Sequence, residues 1–91
     1  MKDRAVITVL GADQVGIVAA ITAVLARRRV NIEDIRMAVM EQLFTMIALV
    51  DLSRLDGSFS ILKEELDQTG RDLGVQVLLQ REEVFKYMHR V

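Results

Sequence analysis

The sequence predicts an α+β fold with the element order β-α-β-β-α-β and a short helical tail. Three observations carry that reading. Two helix-like stretches, 15–29 and 58–73, are each flanked by short runs rich in apolar and β-branched residues. Between them, residues 32–51 hold two alternating runs separated by only a polar pair, as in a hairpin. Glycine or polar clusters stand at the junctions, and proline is absent.

Taken in order, Ala5–Leu10 is a short apolar run bounded by Gly11, which predicts a buried strand. Residues 11–16 form a turn with two glycines and Asp13. Val15 to Arg29 suits a helix, with Arg27, Arg28 and Arg29 in its last turn, where positive charge complements the helix dipole. Asn31 restarts the chain. Ile35, Met37 and Val39 alternate with Arg36 and Ala38, and Phe44, Met46, Ala48 and Val50 alternate with Thr45, Ile47 and Leu49. Glu41-Gln42 is the hairpin turn between them. A polar loop from Ser53 to Gly57 leads to a second helix capped by Ser58, with Asp56 the rival. Phe59, Leu62, Leu66, Thr69 and Leu73 recur at helical spacing on its inner side, and Gly74 ends it. Val75–Gln80 is the last strand, facing inward through Val75, Val77 and Leu79. Glu82 to Arg90 forms a short tail helix with Val84, Phe85 and Met88 on one side.

Two strand–helix–strand halves in this order give a ferredoxin-like βαββαβ sandwich: an antiparallel four-stranded sheet, both helices on one face. The second strand, Ile32 to Met40, then lies at an edge, a template for pairing that Asp34 and Arg36 can guard.

Composition bounds the function. The 91 residues suffice for one domain, 1–91, which buries only about 60–65% of its unfolded surface. Hydrophobic residues make up 52%, with three Phe, one Tyr and no Trp, so Val, Ile, Leu, Ala and Met must build the core. Without cysteine there are no disulfides or thiolate metal sites, in keeping with a reducing cytoplasm. A net charge of −1 gives no positive field for nucleic acid. The charge-free run Gln14–Ala26 is too short to span a membrane.

Between Val15 and Ala26 only Thr22 is polar. With Val18, Ile21 and Leu25 on the sheet, Ile17 and Val24 are left for other faces. Either the second helix and the tail bury them, or a second subunit or a ligand does; excess apolar surface of this kind favours a homodimer.

These residues also carry a resemblance. Leu10-Gly-Ala-Asp-Gln-Val-Gly-Ile17 entering a small-residue helix, then Arg29-Val-Asn-Ile32 and Phe44-Thr45-Met46, resembles the ACT domain over nearly the whole chain, and in particular the small stand-alone ACT proteins of bacteria and archaea. The resemblance implies a regulatory module that binds a small molecule, usually an amino acid, at a subunit interface. Its site residues are the first turn of one subunit and the start of the second strand of its neighbour: Asp13, Gln14, Val15, Gly16, Asn31 and Ile32. It also implies no enzymatic activity and no cofactor, and admits a regulated protein partner. The alternative is an assembly module with no metabolite.

The residue chemistry is compatible. A turn feeding a helix N-terminus presents unpaired backbone N–H groups to a carboxylate. Gly16 allows close approach, Asn31 both donates and accepts, and Asp13 suits an ammonium group. Each residue also has a structural reading: Asp13 as helix cap, Gly16 for close packing, Asn31 as a left-handed turn residue. No catalytic set emerges. His89 is alone near the C-terminus, and Glu33 and Asp34 point to opposite faces of a strand unless a bulge intervenes. Gly11 to Gly16 lacks the Lys-Ser/Thr of a phosphate-binding loop, and the Met residues read as core filler.

Overall fold

Alternation along each strand decides which residues face the helices, and the computed structural model, which describes residues 3–88 (of Met88 the backbone alone), follows it closely. The elements are β1 (Arg4–Ala12), α1 (Ile17–Arg27), β2 (Asn31–Met40), β3 (Leu43–Asp51), α2 (Phe59–Leu73), β4 (Gln76–Arg81) and α3 (Glu82–Met88). The sheet order is β2-β3-β1-β4, with every neighbouring pair antiparallel. This is the ferredoxin-like arrangement, and β2 does lie at an edge.

Ala5, Ile7 and Val9 of β1 pair with Val50, Ala48 and Met46 of β3, and Leu79 of β4 sits opposite Ile7. These form one buried cluster with Ile17, Ile21, Val24 and Leu25 of α1 and with Leu62 and Leu66 of α2. No polar or charged residue is buried among the described residues, so the interior between the layers is apolar throughout.

Several expectations are corrected here. The first helix begins at Ile17 rather than Val15, and Arg28 and Arg29 belong to the turn that follows it. Ile17 and Val24 are each only 2% exposed, so α1 carries no uncovered apolar flank. Residues at i, i+4, i+7 and i+8 all point into the groove between sheet and α2, and alanines fill the outer side. The uncovered apolar surface lies instead on the outer half of β2. Met37 and Val39 have inward register opposite the buried Met46 and Phe44, yet on the edge strand they are 51% and 53% exposed. Glu33 does sit at a bulge, between Ile32 and Asp34, but the two acids do not act together: Glu33 pairs with Arg4 and Asp34 with Arg36.

The tail helix α3 crosses the opposite face of the sheet. Glu82 pairs with Arg4 at 2.8 Å, and Phe85 and Lys86 line a cleft with Val6, Ile47 and Leu49. Of the tail residues expected on one side, Phe85 is half-buried and Val84 exposed, while the Met88 side chain lies outside the described residues. None of the described helices is long and apolar enough to cross a membrane.

Candidate functional site

The turn between β1 and α1 holds four of the expected site residues. The Asp13 N–H donates to the Gln42 carbonyl at 2.8 Å, fastening the turn to the β2–β3 hairpin. The Gln14 side chain donates to the Leu73 carbonyl at 2.6 Å, at the end of α2, so its amide is already engaged. Val15 is fully exposed. Gly16 is the N-cap of α1, with φ of 96°, and no side chain caps the helix. Asp13 therefore is not the cap. Nor is Gly16 a packing glycine: a Cβ there meets nothing within 4 Å, so the residue type answers to the backbone angle. The result is a helix start with open space before its first turn and no side chain competing for its N–H groups.

Asn31 and Ile32 stand at the other end of α1. Asn31 opens β2 and is exposed, whereas Ile32 is half-buried and packs on the core, offering backbone rather than side chain. The left-handed residue of this junction is Arg29, at φ of 59°, not Asn31. The Val30 N–H donates to the Leu25 carbonyl at 2.9 Å and the Arg29 N–H to the Ala26 carbonyl at 3.2 Å. That pair of bonds is a Schellman closure, which normally places glycine where Arg29 sits.

Beside Asn31 lies a cleft of about 650 Å³ floored by Ala26 and Val30 and walled by Arg29, Asn31, Asp51, Ser53 and Arg54. The neighbouring Arg28 is occupied elsewhere, donating to both carboxylate oxygens of Glu65 on α2, at 2.8 and 2.6 Å. Those bonds raise the Arg28 pKa and hold the Glu65 carboxyl below its ordinary value. Arg29 and Arg54 were not singled out as site residues from the sequence. The signal was present in Arg29, a bulky residue one step beyond a helix end that favours glycine, but the arginine run also fits a helix-dipole role.

The two groups of expected residues do not meet within one chain. An eleven-residue α1, about 16 Å long, separates the Asp13–Gly16 turn from Asn31. His89 lies outside the described residues. Among the described residues no three of His, Cys, Asp or Glu gather as metal ligands.

Comparison with known proteins adds the following. A family model described as the ACT domain matches residues 3–80. A UPF0237 protein of Methanopyrus kandleri is 54% identical over 88 residues, spanning 97% of this chain and 98% of its own length. One from Methanocaldococcus jannaschii is 51% identical over 88 residues, with the same shares. Among solved structures, an ACT domain protein from Streptococcus pneumoniae superposes with a TM-score of 0.79 at 35% identity, covering 94% of this chain and 97% of that one.

Proposed function

The chain belongs to the ACT domain family, and on that premise we propose that it is a stand-alone regulatory module of the cytoplasm, a homodimer that binds an amino acid. ACT domains generally bind small-molecule ligands and often dimerise. The ligand lies between the Asp13–Gly16 turn of one copy and Asn31 and Ile32 of the other. One observation carries this reading: the two halves of the site sit at opposite ends of α1. A twofold pair with its α1 helices antiparallel joins each turn to the partner's strand, and so makes two equivalent sites.

The chemistry of the halves is complementary. The uncapped first turn of α1 offers backbone N–H groups and the positive end of the helix to the ligand carboxylate. Asn31 supplies an amide that donates and accepts, and Asp13 a carboxylate for the ammonium group. The exposed, one-sided edge strand β2, apolar through Met37, Val39 and Met40, supports pairing of copies. No step of this function needs a nucleophile or a general base. Occupancy is passed on to a regulated partner protein.

Sedimentation equilibrium together with a thermal-shift screen over the amino acids tests the proposal. The expected result is a dimer whose melting point rises by several degrees with a restricted set of amino acids at millimolar concentration; ligand at a hundred times Kd adds about 2.7 kcal/mol. A folded dimer that no amino acid stabilises would instead favour the assembly module, for which the exposed apolar residues of β2 are the supporting observation.

A further inference from the structure

The cleft at the C-terminal end of α1 has an unbalanced charge. Its walls bring together two guanidinium groups, Arg29 and Arg54, and one carboxylate, Asp51. Unlike Arg28 beside them, neither guanidinium makes an ion pair or a side-chain hydrogen bond among the described residues. Arg29 also holds a backbone angle of 59° that glycine adopts without strain. A side chain kept at such a position, turned toward a polar cleft and left without a partner, points to use of its charge.

From this we infer that the ligand is an acidic amino acid, and that Arg29 and Arg54 read its side-chain carboxylate. The inference rests on the amino-acid reading above and specifies its ligand class. At neutral pH such a ligand has one ammonium and two carboxylates, and its second carboxylate needs cationic partners beyond the first turn of α1, which Arg29 and Arg54 supply. The ammonium goes to Asp13 of the turn supplied by the second copy, as in the amino-acid reading. The Asp51 carboxylate is held in place locally, accepting from the Ser53 N–H at 2.9 Å. Planar guanidinium groups suit the distal carboxylate, because their paired N–H groups match its two oxygens. Asn31, between the arginines and the strand, addresses the α-carboxylate jointly with the partner's turn. The cleft is larger than one amino acid needs and open on one side, so a second copy has room to close it.

Calorimetric titration of the full chain with L-aspartate and L-glutamate, against L-asparagine and L-glutamine, separates this from shape recognition. The acids should bind about tenfold tighter than their amides, the size expected when a charge-assisted bond replaces a neutral one. Arg54→Gln, with dimer mass and circular dichroism retained, should remove that preference, and Arg54→Lys should restore part of it. Equal affinity of acids and amides, or a preference that survives Arg54→Gln, overturns the inference while leaving the amino-acid reading standing. Failure of every amino acid to bind the folded dimer overturns both. Inorganic phosphate binding more tightly than either acid would assign the cleft to a different anion and also overturn it.

Discussion

Helices α1 and α2 lie side by side on the sheet and close with the same backbone bonds. At the end of α2 the Val75 N–H donates to Gly70 and the Gly74 N–H to Arg71, at 2.9 and 3.2 Å; at the end of α1 Val30 donates to Leu25 and Arg29 to Ala26 at the same distances. The left-handed residue is Gly74 in one, at φ of 71°, and Arg29 in the other. Their beginnings differ as well. Ser58 caps α2, its hydroxyl accepting from the Ile61 N–H at 3.2 Å, whereas α1 starts at Gly16 with no side-chain cap. Both ends of α2 favour stability. Both ends of α1 give some of it up: one leaves the N–H groups of its first turn uncapped, the other places a cation where glycine is easier. The helix with unfavourable ends is the one whose two ends hold the proposed site.

Substitutions that exchange these features between the helices break or sharpen the contrast. The largest effect is expected at Gly74. Gly74→Ala puts a Cβ into the left-handed region and should lower stability by about 1–2 kcal/mol in urea unfolding, with ligand affinity unchanged. Next is Ser58→Ala, which removes the α2 cap and should lose about 1 kcal/mol, again without effect on binding. Arg29→Gly should run the other way: a gain of roughly 0.5–1 kcal/mol in stability, since relieved strain outweighs the greater freedom of the unfolded chain, together with weaker binding of acidic amino acids. A stabilised variant that binds as well as the wild type would show that Arg29 has no functional use. The smallest effect is at Arg28–Glu65, which ties the two helices together on the surface. The Glu65 carboxyl is depressed below its ordinary 4.5 by its bonds to Arg28. A depressed carboxyl contributes stability that is complete above the unfolded value and is lost as pH falls through the folded one. Unfolding midpoints followed from pH 6 to pH 2 should therefore fall less steeply in Glu65→Gln than in the wild type.

The fold was legible because strand alternation and helix periodicity act locally. Leu62, Leu66 and Leu79 took the faces their spacing assigned, and Ala5, Ile7 and Val9 are buried within the run read as a buried strand. What misled was α1, where nearly every residue is apolar and periodicity cannot choose a face. Ile17 and Val24 read as surplus, yet both are buried, because a helix beside a second helix is covered over a wider arc than one lying alone on a sheet. Met37 and Val39 failed in the opposite sense: their alternation was right, but their place on the edge strand leaves them exposed where their partners Met46 and Phe44 are buried, and strand order is not local. In the candidate site, Asp13, Gly16 and Asn31 follow from the family resemblance, with which their residue chemistry is compatible. Their structural roles do not follow from it: Gly16 rather than Asp13 opens the helix, and Arg29 rather than Asn31 is left-handed. Arg54 was invisible as a partner of Asn31, since only the paired ends of β2 and β3 bring residues 51–54 beside it.

The central claim is that each ligand spans two copies of the chain, and subunit complementation tests it most directly. Gly16→Val fills the open space before α1, and Asn31→Ala removes the amide at the start of β2. Either homodimer, confirmed folded by circular dichroism, should bind the ligand at least tenfold more weakly than the wild type. When the two are unfolded and refolded together, mixed dimers carry one doubly altered site and one with both halves intact. The account predicts tight binding at about one quarter of the wild-type number of sites, the statistical share for random twofold pairing. A mixture that binds no better than its parents would contradict it.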